Sequence, residues 1–132
     1  MAFRVLYVED TDFDRVIFGR YFSRLPLPDV QVDYAESLNG ALGHLRDGDE
    51  PPDLMFLDNG LPPYRTFRET LPQLTNAGYA GPVVLLSGVL TDDMQVAVEA
   101  RQLYALIDKQ RLDTESLSDI VLPHIQAKAA VD

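Results

Sequence analysis

Four carboxylates fall within residues 9–14, in the stretch Glu9-Asp10-Thr11-Asp12-Phe13-Asp14. They directly follow a short apolar run, Phe3–Val8. Acids at alternate positions suggest two kinds of cation site. One is a calcium loop built from neighbouring residues. The other is half of a magnesium site, completed from elsewhere in the chain. Counted from Asp10, the calcium-loop pattern requires glycine sixth and glutamate twelfth. Those positions hold Arg15 and Tyr21. The segment also follows a strand-like run, whereas such loops follow a helix. The local loop is therefore excluded, and partners have to come from a distance.

Three distant residues present themselves. Asp58 follows the apolar run 54–57, Ser87 follows 83–86, and Lys109 follows 103–107, past Asp108. Lysine is scarce, with Lys109 and Lys128 against nine arginines, so a lysine at the end of an apolar run stands out. Three carboxylates brought together repel one another, at about 4 kcal/mol per pair 4 Å apart for an effective dielectric near 20. One lysine offsets part of that repulsion. A divalent cation offsets the rest, and hard oxygen donors favour magnesium or calcium over zinc.

These residues need a scaffold that brings them together. Five strand-length apolar runs recur, at Phe3–Val8, 30–34, 54–57, 83–86 and 103–107. Helical spacing fills the gaps: Val16, Ile17, Tyr21 and Leu25 share one face. So do Leu38, Leu42 and Leu45; Val96 and Ala100; and Leu117, Val121 and Ile125. Thr91 with Asp92 and Asp93 reads as a helix start, and Asp113 or Thr114 as another. Strand alternating with helix predicts an α/β domain with a parallel sheet. The continuous runs at 54–57 and 83–86 suit central strands, and the alternation of 30–34 suits an edge. The predicted order is 2-1-3-4-5, a flavodoxin-like, doubly wound (βα)5 sheet spanning residues 1–132 as one domain. Parallel strands deliver Glu9, Asp10, Asp58, Ser87 and Lys109 to one edge. The third helix, within residues 64–77, contains Pro72, which predicts a start near Leu71 or a kink, after irregular backbone over 61–66.

The bulk properties narrow the function. The net charge is −10, which disfavours binding to nucleic-acid phosphates. Cysteine is absent, no apolar run is long enough to span a membrane, and acids follow Met1 too closely for a signal peptide. A cytoplasmic location is expected. Plainer readings stand beside the sharper ones. Asp12 and Asp14 read as a solvated helix start that favours the helix dipole. His44 and His124 read as surface residues. Ser87 or Lys109 alone would be unremarkable.

Four segments, in order, resemble a response-regulator receiver domain. Val5-Leu6-Tyr7-Val8-Glu9-Asp10 resembles its first strand and acidic pair. Leu54 through Pro63 resembles the strand that delivers the phosphorylated aspartate. Val83 through Gly88 resembles the strand ending in its hydroxyl, and Ala105 through Gln110 the strand carrying its lysine. The resemblance implies a stand-alone receiver with no output domain. Asp58 is then the phosphoacceptor, with Lys109 and Ser87 contacting the phosphoryl group. Glu9, Asp10, Asp58 and the Gly60 carbonyl are then ligands of Mg2+. The implied donor is a sensor histidine kinase or a histidine phosphotransfer protein. Output would run through a partner protein at the face formed by the fourth helix, fifth strand and fifth helix, around Arg101, Tyr104 and Arg111. Such a protein is no enzyme beyond gaining and losing its own phosphoryl group.

Three positions depart from the family pattern. Leu106 replaces an aromatic residue, for which Tyr104 is a candidate stand-in. Gln110 replaces a proline after the lysine, and Thr66 or a neighbour replaces a glycine. These departures favour an alternative, a degenerate receiver that binds partners without phosphorylation. A metal-dependent phosphohydrolase ranks last, because the water-activating acid expected two residues past Asp58 is Gly60.

Overall fold

The computed structural model describes residues 2–27, 29–48 and 50–131; positions 1, 28, 49 and 132 of the expected domain span lie outside them. Its strands are β1 (Phe3–Val8), β2 (Val30–Ala35), β3 (Leu54–Asp58), β4 (Val83–Ser87) and β5 (Ala105–Asp108). Its α-helices are α1 (Asp12–Ser23), α2 (Leu38–Asp47), α3 (Phe67–Asn76), α4 (Asp92–Glu99) and α5 (Thr114–Val131). A 3-10 turn, Lys109–Arg111, follows β5. All strand pairs are parallel, in the order β2-β1-β3-β4-β5. The flavodoxin-like order expected from the sequence is the one observed.

Two apolar layers sandwich the sheet. Leu6, Val8, Met55, Leu57 and Leu85 pack with Leu38 and Ala41 of α2, Phe67 and Leu74 of α3, and Met94 and Ala97 of α4. Val5, Tyr7, Phe56, Val84 and Leu86 point the other way, onto Phe18 and Phe22 of α1 and Leu117 and Val121 of α5. The central strands β3 and β4 are buried along their whole length, which explains their unbroken apolar sequence.

Several local expectations need correction. α1 does not bury Val16, which is half exposed; Phe18 and Phe22 are inside. Phe18 packs at a tilt against Tyr7 at 4.4 Å between centroids and meets Phe56 edge-on at 5.0 Å. Two large rings one turn apart withdraw more apolar surface than a valine, at roughly 1.5–3 kcal/mol for each fully buried side chain. α4 likewise buries Met94 and Ala97, leaving Val96 and Ala100 outside. Its start is the expected one: the Thr91 hydroxyl accepts from the Met94 amide. Asp113 caps α5, accepting from the Ser116 amide at 2.7 Å.

β5 begins two residues later than the run 103–107 predicts. Leu103 is buried in the core, but it serves the end of α4: its amide and that of Gln102 both donate to the Ala97 carbonyl. Arg101 sits in the left-handed region at φ 62°, which lets the chain turn there.

α3 starts at Phe67, not near Leu71, and runs through Pro72 without ending. Its start is fixed twice. The Thr66 hydroxyl accepts from the Arg68 amide, and the Asn59 side chain accepts from the Phe67 amide at 2.9 Å. Leu74 and Phe67 are fully buried, and this anchoring outweighs the hydrogen bond that proline cannot make. The preceding segment is irregular, as expected, with a cis peptide at Pro62–Pro63.

At the opposite rim of the sheet, Lys128 of α5 donates to the Ala2 carbonyl and to Asp53, both at 2.9 Å. Asp53 also accepts from the Arg4 amide at 2.8 Å. This clasp ties α5 to the entrances of β1 and β3.

Candidate functional site

The C-terminal ends of β1, β3, β4 and β5 surround an open cleft of about 540 Å³. Glu9, Asp10, Asp14, Asp58, Gly60, Ser87 and Lys109 all line it. Every site residue expected from the sequence is therefore brought to one place. The parallel sheet does this without any local spacing rule, because each residue sits at or just past the end of its strand.

Lys109 stands at the centre. Its Nζ lies 2.7 Å from Glu9 Oε1, 2.7 Å from Asp58 Oδ1 and 2.9 Å from Asp14 Oδ2. Glu9 is fully buried and its carboxylate is fully occupied. Oε1 also accepts from the Tyr7 hydroxyl at 3.0 Å, and Oε2 accepts from the Asp10 amide at 2.9 Å. Burial, and then the charge of Asp58, push the Glu9 carboxyl up to about 7 against the pull of Lys109. Burial pulls the Lys109 pKa down, but its contacts with Asp58, Glu9 and Asp14 outweigh that and hold it above the ordinary lysine value. Burial also opposes ionisation of Asp14, yet the Lys109 ammonium holds that carboxyl below the usual range. Tyr7, buried beside Glu9, is held protonated well above the ordinary range.

The donor set fits a hard divalent cation. Carboxylate oxygens of Glu9, Asp10 and Asp58 come within 4.8 Å of one another, with Asp10 exposed to solvent. Five acids line the cleft; Asp93 is paired to Arg68, and the other four face one ammonium, so positive charge is still lacking. Oxygen-only donors select magnesium, calcium or manganese over zinc. A Cβ at Gly60 would meet nothing within 4 Å, so that side of the cleft is open.

Ser87 ends β4 and is buried. Its hydroxyl donates to the Val89 carbonyl at 2.6 Å and accepts from the Val89 amide at 3.3 Å, so it is engaged with the loop before α4. At the rim, Arg68 of α3 holds Asp93 of α4 through two nitrogens, at 2.8 and 3.0 Å, and reaches Gln102 at 2.7 Å.

Asp14 is the residue that sequence reasoning misplaced. Taken as part of a solvated helix start, it instead joins Lys109 inside the cleft. No spacing rule marks it: Asp10 and Thr11 precede α1, and only the phase of the helix turns Asp14 into the cleft. Asp12 does fit the plainer reading, with a side chain that is almost wholly exposed and paired to Arg15. Tyr104 lies outside the cleft. It precedes β5, and its ring packs edge-on against His124 at 4.4 Å. Leu106 packs against the apolar layer under α2, α3 and α4. Gln110 occupies the second place of the 3-10 turn, where its amide donates to Asp108 at 2.9 Å. His124 is half buried, and its Nε2 is buried with no hydrogen-bond partner, so it is not the surface residue expected.

No protein-family model and no curated protein matches the chain. Solved structures do. The response regulator receiver domain protein (CheY-like) from Methanospirillum hungatei JF-1 superposes with a TM-score of 0.77 at 15% identity, covering 100% of both chains. The fold is that of a response-regulator receiver domain. Two further receiver-fold structures are similar. The phosphorylated cyanobacterial phytochrome response regulator RcpA matches with a TM-score of 0.65 at 23% identity, over 92% of this chain and 89% of that one. The Mn2+-bound response regulator Rcp1 matches with 0.64 at 22% identity, over 83% and 82%. In the receiver fold, the cleft described above lies at the strand-order reversal between β1 and β3, where doubly wound sheets bind ligands. Among the described residues, no helix is long and apolar enough to cross a membrane.

Proposed function

We propose that the chain is a response regulator whose Asp58 accepts a phosphoryl group from a phosphohistidine on a sensor kinase or phosphotransfer protein. The observation that carries this reading is the contact of Lys109 Nζ with buried Asp58 at 2.7 Å, beside carboxylate oxygens of Glu9 and Asp10. Structures similar in fold were solved phosphorylated and bound to Mn2+, which supports a phosphoryl and divalent-cation site here.

An Asp58 carboxylate oxygen attacks phosphorus, the bond from phosphorus to the histidine nitrogen breaks, and the imidazole leaves with that electron pair. Lys109 supplies a compact positive charge to a phosphoryl oxygen. Ser87 exchanges its bond to the Val89 carbonyl for one to the phosphoryl group, which draws the loop before α4 inward. Glu9, Asp10, Asp58 and the Gly60 carbonyl hold Mg2+. When bound, Mg2+ offsets the carboxylate repulsion and spreads the charge developing on the transferred oxygens. The chain turns over no substrate beyond its own phosphoryl group. Its output is a partner protein at the α4-β5-α5 face, around Arg101, Tyr104 and Arg111, in the cytoplasm.

Mass spectrometry after incubation with acetyl phosphate and Mg2+ tests the reading. One added phosphoryl group is expected, and none in Asp58→Asn. Gain of the group by that variant, or no gain by the wild type, rejects Asp58 as acceptor.

One observation favours a second reading. Tyr104 packs on His124 and lies outside the cleft, and no aromatic residue stands at position 106 to follow Ser87. A module that binds its partner regardless of phosphorylation fits that arrangement. It predicts equal partner binding by the wild type and Asp58→Asn, whereas the signalling reading predicts a difference.

A further inference from the structure

Resting on the phosphoryl-acceptor reading of the same cleft, we propose that Asp14 is a positioning residue that governs how fast Asp58 is phosphorylated. It does so by occupying one donor of Lys109 and opposing the incoming anion. A lysine ammonium has three N–H donors. Here Glu9 and Asp14 accept hydrogen bonds from two of them, at 2.7 and 2.9 Å, and Asp58 crowds the ammonium as an ion pair at 2.7 Å. For a second donor to turn to an arriving phosphoryl group, one of these partners has to let go.

The three partners are not equally free to do so. The Glu9 side chain is 1% exposed, so unpairing it would strand a buried charge. It is also held by Tyr7 and by the Asp10 amide. Asp58 is the reacting group, and its side chain is 8% exposed. Asp14 is 33% exposed and sits in the first turn of α1, where water can replace the ammonium. Asp14 is therefore the exchangeable partner. Until it releases Lys109, its charge also repels the anionic donor.

Acetyl phosphate isolates this step from any partner protein. An Asp58 oxygen bonds to phosphorus while the bond from phosphorus to the acetate oxygen breaks. Acetate leaves with the electron pair, and no proton moves. The experiment follows the mass of the full chain with time, at saturating Mg2+, for the wild type, Asp14→Asn and Asp14→Glu, in low and high salt. Asp14→Asn is expected to react about tenfold faster in low salt, the size of one pairwise charge effect on the barrier. That advantage shrinks in high salt. Asp14→Glu keeps the charge and is expected to stay within about twofold of the wild type. A purely structural role would move both variants alike, with no dependence on salt, and would overturn the proposal.

Beryllofluoride, an anionic mimic of the acyl phosphate, gives a readout without turnover. Amide NMR titration in Mg2+ is expected to show tighter binding to Asp14→Asn than to the wild type; equal affinity counts against the proposal. A wild type that is phosphorylated while Asp14→Asn is no faster overturns the role of Asp14 and leaves the acceptor reading intact. A wild type that gains no phosphoryl group overturns both.

Discussion

Single side chains in this chain carry opposing linkages to pH. His124 is held below the ordinary histidine pKa by burial, and its Nε2 has no partner. The unfolded chain therefore binds more protons than the folded one just below pH 6.5, the ordinary value. Stability should fall as pH drops from there and level off below the folded pKa. Glu9 acts in the other direction. Its folded carboxyl titrates near 7, above its unfolded value, so it adds stability at low pH that is lost as pH rises towards 7. Urea midpoints for the wild type and His124→Gln, at pH 7.5 and 5.5, separate the two. The wild type should lose more stability on acidification than the variant; equal losses would contradict the assignment. The convergence of Glu9, Asp58 and Lys109 could be read from sequence because each ends or follows a strand. Asp14 and His124 could not, since helical phase decides whether such a residue faces water or a neighbour.

Elements carry the next level of consequence. α3 keeps Pro72 at its sixth position, where the amide of any other residue would donate to the Arg68 carbonyl. Pro72 is exposed, so replacing it disturbs no core contact. Pro72→Ala should stabilise the protein by about 1–3 kcal/mol, read as a higher denaturant midpoint at unchanged slope. A lower midpoint would show that the ring stabilises more than the missing hydrogen bond costs. The existence and order of the elements were legible in the alternating apolar runs. The phases of α1 and α4 were not, because valines and larger side chains competed for the inner face. Phe18, Phe22 and Met94 won through their greater buried surface. The start of α3 was hidden too, since a proline argues for an end while Thr66 and Asn59, which fix the beginning, look like ordinary loop residues.

For the molecule as a whole, the cleft concentrates negative charge that the fold alone does not neutralise. Mg2+ should therefore raise the thermal midpoint of the wild type. Ligand at a hundredfold excess over Kd adds about 2.7 kcal/mol. Asp58→Asn should melt higher than the wild type without metal, because one repelling carboxylate is gone, and should gain less from Mg2+. Equal gains by both proteins would place the cation elsewhere. The sheet order explains why so distant a set of residues was readable as one site: parallel strands convert positions along the sequence into neighbours along an edge. The clasp of Lys128 on Ala2 and Asp53 sits at the other edge. Both it and the N-terminal end of β1 face away from the acidic mouth. A fluorophore or fusion partner joined through either of these ends would stand clear of the cleft, so surface-tethered capture assays could present the acidic side outward.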